Sequence, residues 1–165
     1  MEGSRMFTLA DIRDIAIQIE RNGENAYLHA AKMAADARVA QLLTKLAEQE
    51  KEHIRWFERL DVNRVIAPKD DQMNRFGQEL LREMMGGQTF SLEADELAAE
   101  PDLQAIIERS IEFEKDTILF YEMLYSFLDH SETMQQLERV IIEERSHIEL
   151  LKEVAKKVDA SNDPV

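Results

Sequence analysis

Apolar residues recur along most of this chain at intervals of three and four, the spacing of one face of an α-helix. Over about residues 8–33 the stripe is Leu9, Ile12, Ala16, Ile17, Gly23, Tyr27 and Ala31, with Thr8 and Asp11 as a capping pair. A turn near residues 34–37 leads to a second helix ending near Leu60 and lined by Val39, Leu43, Leu46, Ala47, Ile54 and Phe57. The pattern breaks between about residues 61 and 101. Pro68, Asp70, Asp71 and the Gly86, Gly87 pair punctuate this stretch, and a short helix is expected around residues 72–85. A third helix, with Pro101 in its first turn, runs to about Leu128 on Ile107, Ser110, Ile111, Thr117, Ile118, Tyr121 and Tyr125. The fourth, with Ser131 as its N-cap, carries Met134, Leu137, Val140, Ile141, Ile148 and Leu151. From Asp159 the tail is polar and expected to fray, leaving an ordered core of about residues 8–158. The expected architecture is all-α, a single domain in which two helical hairpins are joined by a long crossover into a four-helix bundle.

Each apolar stripe is interrupted by charge where leucine is expected. Glu20 breaks the first, Glu50 and His53 the second, Glu114 the third, Glu144 and His147 the fourth. These interruptions repeat. Glu20, Tyr27, Glu50 and His53 return as Glu114, Tyr121, Glu144 and His147 at an offset of 94 (114 − 20), and Leu43/Leu137, Leu46/Val140 and Ile54/Ile148 keep it. Glu20 and Glu50 are equidistant from the turn at residue 35, and Glu114 and Glu144 from the turn at residue 129. Fifteen or so residues at about 1.5 Å each put all four carboxylates roughly 22 Å from their own hairpin ends, at one depth. That depth is the same whether helices two and three run parallel or antiparallel; the crossover's length favours parallel.

Composition narrows the chemistry. The chain has 165 residues, 44% of them hydrophobic, enough for one core without cross-links. Its net charge of −14 repels nucleic-acid phosphates and anionic lipid and attracts small cations. With no cysteine, disulfides, thiolate chemistry and Cys₄ iron sites are excluded for this chain. The first residues lack the apolar segment of a signal peptide and no run reaches the roughly 18 apolar residues of a membrane span, so a soluble, cytoplasmic protein is expected.

Four carboxylates buried without partners would each cost several kcal/mol, more than a domain of about 5–15 kcal/mol total stability can carry. Lysine and arginine are absent from the inner stripes at this depth. Two divalent cations would balance four glutamates, with two neutral imidazoles completing a dinuclear cage. Mixed carboxylate and imidazole ligation suits iron or manganese, and zinc can substitute. A lone Glu-x-x-His pair is common on exposed helices and means little; two in register, with two more glutamates at matching depth, mean much more. Tyr27 and Tyr121, each seven residues after a stripe glutamate, point to the core. There they either fill space or act as candidate catalytic residues, bonding a ligating carboxylate of the other hairpin or serving as local electron donors. His29 and His130 are expected in solvent, Glu24 at the surface or at the rim of the site, and the remaining acids on a solvated face. Trp56 with Phe57, and Met73, Met84 and Met85, are expected to pack the crossover or a subunit contact.

Glu20 through Tyr27, Glu50-Lys-Glu-His53, Glu114 through Tyr121 and Glu144-Arg-Ser-His147 resemble the rubrerythrin-like branch of the ferritin-like di-iron carboxylate superfamily. The resemblance covers about residues 8–158. It implies a ferritin-like bundle holding two iron ions, with Glu20, Glu50, His53, Glu114, Glu144 and His147 as ligands. It also implies chemistry with peroxide or dioxygen, and commonly a homodimer. Two departures stand out. Rubrerythrins carry a further ligand glutamate where this chain has Thr117, and they fuse a rubredoxin domain, which a cysteine-free chain does not contain. Three functions follow as expectations: an oxidoreductase reduced by a separate donor such as a rubredoxin-like protein, a ferroxidase-type iron-handling protein, and a metal-free helical interaction module.

Overall fold

The computed structural model describes residues 9–63, 102–128 and 130–162, together with Arg75 and Glu79. Four helices carry the described chain: α1 Leu9–Met33, α2 Ala37–Glu58, α3 Leu103–Phe127 and α4 Ser131–Asn162. Of the expected crossover helix at residues 72–85 only Arg75 and Glu79 are described, both helical; the cap at Thr8 and the packing of Met73, Met84 and Met85 lie outside the described residues.

Local chemistry sets the helix starts. Asp36 caps α2, its carboxylate accepting from the Arg38 backbone N–H at 2.7 Å, and Asp102 caps α3 by accepting from that of Gln104 at 3.0 Å. The helix therefore starts after Asp102, and Pro101, expected in its first turn, lies outside the described residues. At α4 the first helical bond runs from Met134 N–H to the His130 carbonyl at 3.0 Å, and the His130 ring stands 3.1 Å from the Thr133 hydroxyl. The cap is thus His130 rather than Ser131, and His130 is half-buried rather than free in solvent. α4 also continues to Asn162, past the point where fraying was expected.

α1 packs on α2 and α3, and α4 on α3 and α2. Cross-hairpin contacts give directions. Tyr27 meets Glu114 while Tyr121 meets Glu20, so α1 and α3 are antiparallel. His53 meets Glu144 while His147 meets Glu50, so α2 and α4 are antiparallel too. Since α1 and α2 form a hairpin, α2 and α3 run parallel, and their connection has to traverse the bundle's length. The long interval between residues 58 and 103 suits that requirement.

The core is continuous from Leu9 and Ile12 through Leu43, Leu46, Phe57 and Tyr121 to Leu151 and Val154. Because α1 serves two neighbours, its buried face is wider than a single stripe. Ile15, Ile19, Ala26 and Ala30 are buried, whereas Ile17 and Ala31 of the expected stripe are only partly covered. Trp56 packs edge-on against Phe57 and donates from its indole N–H to Gln136 of α4 at 2.9 Å, which ties it to the bundle itself. Among the described residues no helix is long and apolar enough to cross a membrane.

Candidate metal centre

Midway along the bundle each helix turns a polar group inward. Glu20, Glu50, Glu114 and Glu144 are at most 2% exposed, and His53 and His147 are 3% and 1% exposed. The i, i+3 spacing of Glu50/His53 and Glu144/His147 puts carboxylate and ring on one face of α2 and of α4. The antiparallel pairing of those two helices then sets the two faces opposite each other, with the imidazole rings 5.8 Å apart.

The six groups divide into two overlapping sets. Glu20, Glu50, His53 and Glu144 form one; Glu50, Glu114, Glu144 and His147 form the other, and within each set the donor atoms lie within 4.8 Å of one another. Glu50 and Glu144 belong to both. His53 Nδ1 is 2.8 Å from Glu144 and 3.3 Å from Glu20. His147 Nδ1 is 3.0 Å from both Glu50 and Glu144 and 3.7 Å from Glu114.

These distances are short, but apart from the hydrogen bond between His53 Nδ1 and Glu20 the alignment is wrong for pairwise bonding. Glu50 Oε1, both Glu144 oxygens and both His147 ring nitrogens are buried without a hydrogen bond among the described residues. The Glu50 and Glu144 oxygens and His147 Nδ1 converge on shared points instead of on one another, while His147 Nε2 faces outward. A buried unsatisfied polar atom costs about 1–3 kcal/mol, more when charged, so four in one place call for an occupant. A pair of divalent cations fits: each would have three carboxylates and one imidazole, and the four carboxylate charges would equal those of the cations.

The outer contacts hold these groups. Tyr27 donates its hydroxyl to Glu114 and Tyr121 donates to Glu20, each reaching a carboxylate of the other hairpin. Gly23 lets Glu50 approach α1: a Cβ on that residue would stand 3.3 Å from Glu50 Cδ and 3.4 Å from Oε2. Gly23→Ala is therefore expected to divide two properties. Alanine favours the helix by about 1 kcal/mol, while pushing Glu50 off its rotamer costs about 0.5–1.5 kcal/mol. The metal-free melting temperature should hold or rise while divalent-ion affinity falls up to about tenfold. Equal affinity in the variant would show that Glu50 needs no such clearance.

Electrostatics in the metal-free cage follow from crowding. Burial pushes the Glu50 carboxyl up, as do Glu144, Glu20 and Glu114 around it. Glu114 is raised to about 8 by burial and by Glu144, against the opposing pull of His147. Burial pulls both imidazoles down, but the carboxylates outweigh it, holding His53 up at about 12 and His147 at about 10. Glu144 is driven well below its ordinary value because both imidazoles face it, which outweighs its burial. Burial and neighbouring carboxylates raise both tyrosines, keeping them neutral donors. Without cations, protons on these groups offset the carboxylate charge.

Every residue singled out for the cage converges in it, whereas Glu24 and His29 are half-buried and outside both donor sets. Thr117 is buried, and its hydroxyl donates to the Phe113 carbonyl at 2.9 Å, so it joins neither set. Glu143, assigned by the sequence reading to a solvated face, reaches His53 Nε2 at 2.7 Å. Nothing in its sequence context distinguishes it from the other surface glutamates; only the pairing of α2 with α4 does.

No curated protein matches the chain. One solved structure, of a ferritin-like diiron-carboxylate protein from Thermotoga maritima, is similar over 93% of this chain and 98% of that one, with a TM-score of 0.66 and 21% identity. At that identity the likeness concerns the fold, and it agrees with the up, down, down, up bundle described above. The family model described as Rubrerythrin matches residues 11–155, which span both hairpins and all six cage residues, and the chain therefore belongs to the rubrerythrin family.

Proposed function

We propose that this protein is a di-iron oxidoreductase that reduces hydrogen peroxide or dioxygen with electrons from a separate donor. The observation that carries the reading is the pair of four-residue sets sharing Glu50 and Glu144, a cage for two adjacent cations. Glu20 and His53 would hold one iron ion, Glu114 and His147 the other, with Glu50 and Glu144 between them; manganese or zinc could take the same donors. Two ferrous ions supply two electrons that, with two protons, reduce hydrogen peroxide to two water molecules.

The chain's own residues set the conditions for this. Leu46, Ala47, Leu137 and Val140, all buried, exclude bulk water on the α2 and α4 side of the cage. Tyr27 and Tyr121 hold Glu114 and Glu20 in place and keep a proton close to each carboxylate. With no cysteine, the chain carries no Cys₄ centre, so re-reduction falls to another protein, such as one of rubredoxin type. We place the protein in the cytoplasm and expect a homodimer.

Rapid mixing of the anaerobic ferrous-loaded protein with one equivalent of hydrogen peroxide tests this. Oxidation is expected to outpace that of free ferrous ion under the same conditions; an equal rate would overturn the proposal. The net charge of −14 favours a second reading, iron handling, since it draws cations to the surface. That reading requires ferrous turnover well beyond two ions per chain, whereas the oxidoreductase stops at two unless a reductant is supplied.

A further inference from the structure

The repeat makes the two halves of the cage look equivalent, but the outer nitrogens of the two imidazoles are not. His53 Nδ1 faces the carboxylates while its Nε2 meets Glu143 Oε2 at 2.7 Å. His147 turns Nδ1 to the carboxylates in the same way, yet its Nε2 is buried with no hydrogen-bond partner among the described residues. The repeat accounts for the difference. The counterpart of Glu143 at the offset of 94 is residue 49 (143 − 94), and it is a glutamine, half-buried on α2.

We propose that Glu143 is a positioning residue that makes the two cation positions unequal, so that the Glu20/His53 position fills before the Glu114/His147 position. This rests on the dinuclear reading of the cage. A neutral imidazole carries one N–H, and the group that accepts from it decides which nitrogen keeps the lone pair. Glu143, with its side chain half-exposed, accepts from Nε2–H and so fixes the His53 lone pair on Nδ1, toward the cage. It also holds the ring plane and, as an anion, strengthens donation to a cation. His147 has no such acceptor among the described residues and must hold its tautomer and orientation by packing alone. Outer partners of this kind are worth about 10–100-fold in metal affinity.

Anaerobic titration of the full chain with Co²⁺ at fixed pH, followed by the visible absorption of the bound ion, tests the assignment. The unaltered protein should take up two equivalents in two unequal steps. Glu143→Ala should weaken the tighter step about 10–100-fold and leave the weaker one in place, and Glu143→Gln, which keeps an acceptor without the charge, should fall between. Gln49→Glu puts a carboxylate, a charged acceptor, at the repeat counterpart of Glu143 and should tighten the weaker step, bringing the two together. A general loss of packing would move both steps alike, so the selective change marks a positioning role. Two equal steps in the unaltered protein would overturn the inference. So would a Glu143→Ala variant with both steps weakened or neither, or a Gln49→Glu variant whose weaker step stays unchanged. No uptake of Co²⁺ by the unaltered protein would instead overturn the dinuclear reading itself.

Discussion

Glu144→Ala is expected to abolish stable uptake of both divalent ions, a larger loss than any other single change in the cage except its counterpart, Glu50→Ala. Glu144 is fully buried, belongs to both donor sets, and stands 2.8 Å from His53 Nδ1 and 3.0 Å from His147 Nδ1. Removing it takes a donor from each cation at once. Leaving a buried charge without its partner costs about 3–5 kcal/mol, or roughly 10²–10³-fold or more in affinity for each ion. Glu20→Ala and Glu114→Ala each touch one set only, so they should weaken one ion and spare most of the affinity for the other. Metal content per chain after dialysis, compared across these variants, checks the ordering. A Glu144→Ala protein that still retains two ions would show that Glu144 does not bridge.

The second large effect is on stability, and it changes sign with metal. In the metal-free protein the folded-state values of His53 and His147 are raised from 6.5 to about 12 and about 10. Their contribution is fully present below pH 6.5 and is lost as pH climbs through 10 to 12. Glu114, raised from 4.5 to about 8, and Glu50, also raised, keep protons longer folded than unfolded, so they too make stability fall with rising pH. Glu144, lowered, acts the other way and is lost only on acidification below 4.5. The metal-free protein should therefore melt highest near pH 4.5, lower as pH rises from there with the loss of the Glu50 and Glu114 contributions, and lower still above 6.5 as those of the two histidines follow. Cations displace the same protons, so loading should strengthen with pH. At a thousandfold excess over Kd each ion adds about 4.1 kcal/mol, and at about 2–4 °C per kcal/mol two ions should raise Tm by roughly 15–30 °C near neutral pH. Scanning calorimetry across pH, with and without Co²⁺, checks both slopes. A metal-free Tm that rises with pH would contradict the charge pattern of the cage.

The sequence carried the cage's composition because helical geometry is periodic. Glu50/His53 and Glu144/His147 sit one turn apart, and the offset of 94 ties the hairpins together before any coordinates exist. Helix extents were legible for the same reason. Chain direction was legible only in the crossover's length, since equal depth in two hairpins is compatible with either sense; the pairings of Tyr27 with Glu114 and His53 with Glu144 decide it. Which glutamates are shared between the two sets depends on how far each side chain reaches past the bundle axis, a quantity absent from spacing. Glu143 was hidden by composition: in a chain with 34 acidic residues, one more surface glutamate carries no signal until α2 is laid against α4. The cap of the fourth helix was misplaced by one residue, at Ser131 instead of His130, because serine's capping preference is weaker than the particular bonds made there.

The central claim is that six buried side chains hold two cations. Anomalous diffraction at the iron edge, from crystals of the ferrous-loaded protein, addresses it most directly. Two peaks about 3.5–4 Å apart are expected, one between Glu20 and His53 and one between Glu114 and His147, with Glu50 and Glu144 reaching both. A cage without anomalous density, with iron found only at surface carboxylates, would contradict it.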